Sequence, residues 1–180
     1  MRFQQTPLEG SYLIDLEAKE DNRGFFARLF CQAEFVKHGL NFLFVQANNS
    51  LSKEKGTLRG LHYQLPPKEE VKLVRCIKGS LWDVILDLRH NSKTFGKHYG
   101  AILSEKNRTM MYVPKGFAHG FLTMEPNTEI LYMVSESYSE EFERGIRWDD
   151  PQFQIAWPEK LQVISDRDSR HPNYAHRVSV

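Results

Sequence analysis

Two segments of this sequence carry histidines that could do acid–base chemistry. The first is GTLRGLHYQ, residues 56–64, which contains His62, and the second is PKGFAHGF, residues 114–121, which contains His119. Each histidine stands in a strand-like stretch between turn residues. Strands so far apart in the chain can meet only in a closed or sandwiched β structure. We therefore expect both histidines to line the interior of that structure, and we expect the interior to be an active site.

Other polar side chains stand in otherwise apolar strands. Lys72 lies between Val71 and Leu73, and an ammonium group inside a sheet is costly unless something needs its charge. Taken alone, Lys72 would more often lie on a strand exposed to solvent, and His62 would more often be a hydrogen-bonded histidine of the core. The presence of several polar residues in apolar strands nevertheless favours a functional site. A two-residue period gives this strand one face with Lys72, Val74 and Cys76 and another with Leu73, Arg75 and Ile77.

Short apolar stretches separated by Gly, Pro, Asn or Ser recur along the chain, which predicts an antiparallel sandwich or barrel. A short helix is expected over 33–38, with Gly39 as its stop. We expect one domain over 1–180, in which about 1–50 hold N-terminal strands and the helix, and about 148–180 pack over the body as an arm. Strands are predicted at 11–16, 25–30, 43–51, 57–64, 71–77, 80–88, 99–103, 109–113, 118–124 and 129–135.

Composition excludes several classes of protein. The 180 residues have a formal net charge of +1 and 41% hydrophobic residues, so neither a nucleic-acid-binding tract nor a membrane span is expected. The first residues lack the apolar core of a signal peptide. Cys31 and Cys76 are far apart in apolar surroundings and are expected to be reduced thiols. A cytoplasmic protein is the expectation.

The two histidine segments partly follow the metal-binding pattern of cupins. Gly56, His62 and Glu69 fit its first motif, and Pro114, Gly116 and His119 fit the second. The frame therefore resembles a cupin jelly roll. However, Gln64 replaces the second metal-binding histidine and Arg108 replaces a glycine, and an amide is a poor ligand for a transition metal. We expect no catalytic metal, although a metal-dependent cupin oxygenase or isomerase is the alternative.

A more specific resemblance covers nearly the whole chain, from DNRGFF at Asp21 to Asp168. The blocks RGLHYQ, KLVRCIKGSLWDVILDLR, VPKGFAHGF, ILYMVSESY, GIRWDDP and ISDRD, in this order and spacing, closely resemble the dTDP-4-dehydrorhamnose 3,5-epimerase family. The resemblance implies an all-β, cupin-type double-stranded β-helix (jelly roll) with a few short helices. It also implies an isomerase that needs no cofactor and inverts C3 and C5 of a nucleoside-diphosphate 4-keto-6-deoxyhexose.

The resemblance also assigns catalytic roles. His62 would be the base that removes a proton next to the ketone, and a free imidazole is largely neutral at neutral pH. Asp168 would hold the tautomer of His62, as an orienting carboxylate does in a catalytic triad. Lys72 would stabilise the enolate, and Tyr132 would protonate the opposite face. His119 would line the sugar pocket.

Binding residues follow from the same resemblance, while Asp83 is a weaker candidate that could instead accept a structural hydrogen bond. Arg59 and Arg23 match arginines near the diphosphate, which guanidinium groups bind well. Because N-terminal strands of this family can cross to a partner, Arg23 and Phe26 could serve the neighbouring subunit in a homodimer, although DNRGFF could also be a plain surface turn. The positions expected around the nucleoside are Phe26, Gln46, Asn48 and Tyr138.

Three departures from the family pattern concern the nucleotide. Arg28 replaces a glutamate, Ala47 replaces an acid and Arg167 replaces a lysine. The nucleotide is therefore left open among dTDP, CDP, GDP and UDP. Single-site epimerisation at C3 or C5 and a sugar-nucleotide-binding cupin without turnover are the remaining alternatives.

Overall fold

The structure, a computed structural model that describes residues 1–174, consists mainly of two facing β-sheets. Two short helices accompany them, α1 (Gln32–Lys37) and α2 (Asp166–Ser169). The strands are β1 (Arg2–Gln5), β2 (Tyr12–Asp15), β3 (Lys19–Asp21), β4 (Gly24–Phe26), β5 (Gln46–Ser52), β6 (Thr57–Gln64), β7 (Lys72–Lys78), β8 (Ser80–Asp87), β9 (His98–Ser104), β10 (Met110–Val113), β11 (Phe117–Thr123), β12 (Thr128–Val134), β13 (Glu143–Gly145) and β14 (Val163–Ile164).

Strands that are distant in the chain lie side by side in both sheets. The first sheet has the order β1-β2-β10-β7-β12-β5 and the second has the order β13-β6-β11-β8-β9, with β14 beside β6. All the pairings within these sheets are antiparallel except the one between β14 and β6. This topology is a cupin-type jelly roll, which confirms the predicted fold class.

The main core fills the space between the two sheets. Val74 and Cys76 of β7 point into it, whereas Leu73 packs on the outer face of the first sheet, so the predicted alternation of this strand is confirmed. Burying a large apolar side chain contributes roughly 1.5–3 kcal/mol relative to leaving it exposed. The core side chains from the second sheet are Leu81, Ile85, Leu103, Phe117 and Phe121.

Helix α1 covers part of the outer face of the first sheet. Its Phe35 is fully buried there against Leu73 and Tyr112. The helix ends at Lys37, and Gly39 follows with a φ of 68°, close to the predicted stop. The predicted strand over 25–30 is wrong after Phe26, where β4 ends, and the partly exposed ring of Phe30 packs against Phe35 and Phe44.

The chain after β12 covers the outer face of the second sheet. Ile146 and Phe153 are buried against Val84 and Leu86, and Trp157 packs alongside them. This segment also adds β13, just before the predicted arm, and β14 and α2 within the arm, and the sequence analysis predicted none of these elements. The last six residues of the predicted arm, 175–180, lie outside the described residues.

The remaining sequence predictions of strands differ from the structure mainly at their ends. The strand expected over 43–51 begins only at Gln46, and Leu43 and Val45 are exposed before it. The N-terminal β1 was not predicted. Neither helix in the described part of the chain is long and apolar enough to cross a membrane.

Candidate active site

The two histidines meet on neighbouring strands of the second sheet. Strands β6 and β11 are antiparallel, and their register places His119 opposite His62. Both side chains line a cavity of about 290 Å³ between the sheets. The cavity is lined by Ser50, Arg59, His62, Lys72, His119, Phe121, Ile130, Tyr132, Ser165, Arg167 and Asp168.

Lys72 and Tyr132 reach the same cavity from the first sheet. Lys72 begins β7 and pairs with Val134, while Tyr132 pairs with Val74, so both side chains point to the same side of the sheet. Lys72 is only 9% exposed and its Nζ lies 3.0 Å from a carboxylate oxygen of Glu70. The alternative of a solvated surface lysine is therefore wrong.

Strand β5 lines a second cavity of about 350 Å³, which adjoins the first. Exposure alternates along β5, and its inward row is polar: Gln46, Asn48 and Ser50. Gln46 Nε2 donates a hydrogen bond of 2.8 Å to Asn48 Oδ1. The second cavity shares His62, Lys72 and Tyr132 with the first and also contains Tyr138. Together the two cavities form one groove, with apolar and basic groups at one end and amides at the other.

Asp168 makes direct contact with His62. His62 Nε2 lies 2.8 Å from Asp168 Oδ1, and the Gly60 amide donates to Asp168 Oδ2 over 3.1 Å. Helix α2 holds the carboxylate in place, because Ser165 Oγ caps the helix by accepting from the Asp168 amide. In neutral His62 the Nε2–H therefore donates to the carboxylate, which leaves the Nδ1 lone pair free to take a proton.

Burial and hydrogen bonding shift the pKa of Asp168 in opposite directions. Burial alone would raise the pKa of this carboxyl group, but the hydrogen bond and charge of His62, with the Gly60 amide, hold the pKa below its usual range. Asp168 is therefore ionised at neutral pH, and a carboxylate next to an imidazole stabilises the imidazolium form.

Gly60 allows β6 and β11 to approach closely at this point. Its φ is +117°, and a Cβ placed there would lie 2.7 Å from Gly120 Cα and 2.8 Å from the His119 carbonyl oxygen. A larger residue would have to push the strands apart, and the Asp168 contact with the Gly60 amide would move with them. The glycine of RGLHYQ therefore sets the position of the His62–Asp168 pair.

His119 has its own carboxylate partner. His119 Nε2 lies 2.8 Å from Asp83 Oδ1 on β8, and both side chains are buried. Asp83 does not line either cavity, so its contact with the site runs through His119. The structural hydrogen bond considered for Asp83 is thus present.

Tyr132 keeps its proton in this environment. Burial raises the pKa of its hydroxyl, the charge of Glu70 raises it further, and Arg59 lowers it. Since a free tyrosine already titrates near pH ~10, the phenol is protonated at neutral pH. It is placed to act as an acid on the wall opposite His62.

The cupin metal ligands do not converge here. Gln64 uses its amide to bind backbone, donating to Lys68 O and accepting from the Ser139 amide. Glu69 lines a different cavity, beside Arg89 and Tyr174. Within residues 1–174, His62 and His119 therefore share the cavity without the other two members of that ligand set.

Arg23 and Phe26 do not reach this groove in their own chain. They lie on the hairpin of β3 and β4, where the Arg23 side chain is 85% exposed and Phe26 is 70% exposed. Arg23 pairs with Asp21, and Phe26 borders a separate small cavity with Arg28 and Glu34. The other nine predicted site residues all line the groove.

Several groups in the groove were missed in the sequence. Glu70 stands two residues before Lys72, a same-face spacing that could have revealed the ion pair. Ser50 continues the alternation of Gln46 and Asn48. Arg167, noted only as a departure, lines the cavity and forms a close ion pair with Glu143.

We expect Asp168→Asn to destabilise the protein by about 1–3 kcal/mol at neutral pH, because a buried amide cannot replace a charged acceptor. The folded pKa of Asp168 is depressed, so its contribution is fully present above pH ~5 and is lost as the pH falls through that lower folded value. Urea unfolding of parent and variant between pH 7 and pH 3 checks this. A stability difference that does not shrink at low pH would contradict it.

This arrangement, a paired base on one sheet and a protonated phenol on the other, defines a jelly-roll protein of the cupin class built for proton transfer by side chains. The family model for dTDP-4-dehydrorhamnose 3,5-epimerase matches residues 5–176. The chain belongs to the dTDP-4-dehydrorhamnose 3,5-epimerase family, whose members are isomerases.

Individual relatives are similar to this chain over almost its full length. The dTDP-4-dehydrorhamnose 3,5-epimerase of Sinorhizobium fredii is 44% identical over 174 residues, which are 96% of this chain and 89% of that protein. The crystal structure of the Elizabethkingia anophelis dTDP-4-dehydrorhamnose 3,5-epimerase has a TM-score of 0.94 at 39% identity, covering 97% of this chain and 96% of that one. A Legionella pneumophila dTDP-6-deoxy-D-glucose-3,5-epimerase, solved in complex with dTDP-4-keto-L-rhamnose, has a TM-score of 0.89 at 36% identity, covering 96% and 92%.

Proposed function

We propose that this protein converts dTDP-4-dehydro-6-deoxyglucose to dTDP-4-dehydrorhamnose by inverting C3 and C5. The observation that carries the proposal is the placement of His62 and Tyr132 on opposite sheets around one cavity. Inversion at carbon requires a proton to leave one face of the ring and another to arrive at the opposite face. A base and an acid on facing walls meet that requirement.

His62 takes the proton from the carbon. Protons next to the 4-keto group are acidic for carbon, and Nδ1 carries the free lone pair because Nε2 is bonded to Asp168. The imidazolium that forms lies against an ionised carboxylate, which lowers the cost of the charge. Asp168 acts as a positioning residue that holds the ring and its tautomer.

Lys72 stabilises the enolate formed when the proton leaves. Its ammonium group is buried in the cavity wall and held by Glu70, so it need not reorganise when charge develops on the substrate oxygen. His119, fixed by Asp83, lines the same cavity and supports the same oxygen. Such preorganised charges are usually the largest contribution to catalysis.

Tyr132 returns a proton to the opposite face. After one inversion His62 carries an extra proton and Tyr132 has lost one, so exchange with water must reset both groups. The proton that reaches the carbon is therefore derived from solvent. Inversion in D₂O should label each inverted carbon.

The nucleotide occupies the rest of the groove. Arg59 is held at its edge by donating to Ser52 Oγ and the Leu51 carbonyl, and its guanidinium is placed for the diphosphate. The amides of Gln46 and Asn48, with the ring of Tyr138, suit the nucleoside. The inward-facing side chains of β5 thus bind the nucleoside of the substrate.

The direct test is incubation with dTDP-4-dehydro-6-deoxyglucose in D₂O, followed by proton NMR and mass spectrometry. We expect two deuterons, at C3 and C5, with inverted configuration. CDP- and GDP-linked 4-keto-6-deoxyhexoses serve as matched comparisons for the nucleotide. Binding of all three without exchange would overturn the proposal in favour of a non-catalytic protein, and one deuteron would reduce it to single-site epimerisation.

We infer in addition that the protein is a homodimer in which the hairpin of β3 and β4 completes the partner's site. Support comes from the exposure of Arg23 and Phe26 on the hairpin, beside the half-exposed Phe25, whose ring packs against the Arg108 guanidinium. Exposed large apolar groups commonly mark protein contacts. The diphosphate and the nucleoside are suitable partners for these side chains.

Mixing two inactive variants tests this exchange. A His62→Asn chain has an intact hairpin, and an Arg23→Ala/Phe26→Ala chain has an intact base. In a mixed dimer one site combines the intact hairpin with the intact base. Random exchange in a one-to-one mixture makes half of the dimers mixed, and each of these has one working site of two, so we expect the mixture to recover about a quarter of the parent activity. If purified dimers that contain one chain of each variant recover no activity, the proposal that the hairpin completes the partner's site is refuted.

A cytoplasmic location belongs to the same proposal. Cys31 and Cys76 are both free thiols in the structure, which suits a reducing compartment.

A further inference from the structure

A second histidine lies against Asp168. His171 Nε2 is 3.4 Å from Asp168 Oδ1, and the rings of His171 and His62 are 5.6 Å apart and nearly perpendicular. The nitrogens of the two histidines and the carboxylate oxygen all lie within 4.8 Å of one another. His171 borders neither cavity and has no part in the epimerase chemistry described above.

The nitrogen of His171 lacks a hydrogen bond. Although Nε2 is within ion-pair distance of Asp168, the geometry is not that of a hydrogen bond, and among residues 1–174 this buried atom has no such partner. An orphaned buried nitrogen is costly. Its presence beside a carboxylate and a second imidazole points to a ligand shared by the three groups.

The backbone is shaped to hold this ring. Gly145 on β13 pairs with His62 in the register of the sheet. A Cβ at Gly145 would overlap the His171 ring at about 2.1 Å, so the ring occupies the space that any other residue type would fill. His171 is thereby fixed next to the base.

We propose that His62, Asp168 and His171 form a binding site for Zn²⁺ or a similar transition-metal ion, and that its occupation switches the enzyme off. Two imidazoles and one carboxylate are a common zinc ligand set that leaves the fourth position for water. The inhibitory part rests on the proposed role of His62, whereas binding does not.

The spacing of the ligand atoms fits a tetrahedral ion if the two imidazole nitrogens approach each other by up to about 1.5 Å. Bonds of about 2.0–2.1 Å place tetrahedral ligand atoms about 3.3 Å apart. The observed separations from Asp168 Oδ1 are 2.8 Å to His62 and 3.4 Å to His171, and the nitrogens are at most 4.8 Å apart. Asp168 also lines the first cavity, from which water can reach the fourth position of the ion.

Metal binding removes the lone pair that catalysis needs. The ion binds His62 at Nε2, so the proton of the neutral ring moves, through water, to Nδ1. His62 keeps one proton in total, but Nδ1 now carries it and cannot accept another from carbon. The enzyme stays folded and loses its base.

The nearby cations do not prevent this binding, because each is paired. Arg167 forms an ion pair with Glu143, and Lys72 forms one with Glu70. The carboxylate of Asp168 is buried and already ionised. A divalent ion therefore meets a negatively charged set of ligands.

Calorimetric titration of chelator-treated protein with Zn²⁺ alone, in nucleotide-free buffer, tests the site. We expect one ion per chain, no binding of Mg²⁺ because nitrogen ligands disfavour it, and affinity at least about 100-fold weaker in His171→Ala, since even outer-shell changes cost 10–100-fold. His38→Ala, an exposed histidine on another face, serves as the matched control and should bind like the parent. His171→Gln is a second variant in case the alanine variant does not fold.

Turnover measured with and without zinc tests the switch. Each variant is compared with its own metal-free rate, and we expect at least about 100-fold inhibition of the parent, reversed by chelator, and little in His171→Ala. Absence of one-to-one zinc binding, or equal affinity in parent and His171→Ala, would overturn the site. Tight binding with undiminished turnover would overturn the switch. A metal-free parent without any turnover would refute the proposed function and leave the calorimetric result to decide the site.

Discussion

The His62→Asn variant should lose turnover by about 10²–10⁴-fold, the usual contribution of a positioned general base, while it remains folded and binds dTDP. The imidazole of His62 is held by Asp168 at 2.8 Å, and its Nδ1 is the proposed acceptor of the proton from carbon. Asparagine is polar and similar in volume but cannot take a proton at neutral pH. Both epimerisation and deuterium exchange at carbon should stop together.

His119→Asn is the matched control for this change. His119 lies opposite His62 on the adjacent strand, lines the same cavity and has its own carboxylate partner. Its proposed role is to support the enolate oxygen, so its loss should slow turnover without abolishing exchange. If His62→Asn kept more than about a tenth of the parent turnover, or if His119→Asn alone abolished exchange, the assignment of the base would be wrong.

Strand alternation made much of the cavity wall predictable. Lys72, Val74 and Cys76 share a face as their spacing indicates, and the two histidine motifs meet because they belong to neighbouring strands of one sheet. These features are local, and a two-residue period fixes which side chains point inward. The resemblance then supplied the jelly-roll fold class, which no period reveals.

The carboxylate partner of His62 could not be placed from a pattern. Asp168 stands on a single-turn helix after a two-residue strand, and neither is long enough to show a period. One local signal was available: Ser165 and Asp168 have the spacing of a capping box, and the serine does cap the helix. That signal predicts a helix start, whereas contact with His62 depends on how β14 pairs with β6.

Contacts between charges were the least predictable part of the site. Glu70 and Lys72 could be paired by spacing, but Arg167 with Glu143 joins residues 24 apart in the chain. The position of the His171 ring depends on Gly145, a residue of β13, which was not predicted. Such contacts depend on three-dimensional packing that the sequence pattern does not encode.

Tyr132→Phe should separate proton removal from inversion. The change deletes only the hydroxyl, whose pKa is raised by burial and by Glu70, so the cavity keeps its shape while the acid opposite His62 is lost. We expect the rate of epimerisation to fall by about 10²–10³-fold. His62 can still remove a proton and return a deuteron to the same face, so substrate recovered from D₂O should be labelled with its configuration retained.

Labelled, uninverted substrate is the result that no simple loss of binding would produce. Tyr138→Phe is the matched control, because Tyr138 lines the nucleoside end of the groove and its hydroxyl binds Glu143 at 2.9 Å. That variant should raise KM and leave the ratio of exchange to inversion unchanged. If Tyr132→Phe lost exchange and inversion to the same extent, Tyr132 would be needed for proton removal itself, and the two-wall mechanism would have to assign the returning proton to another group.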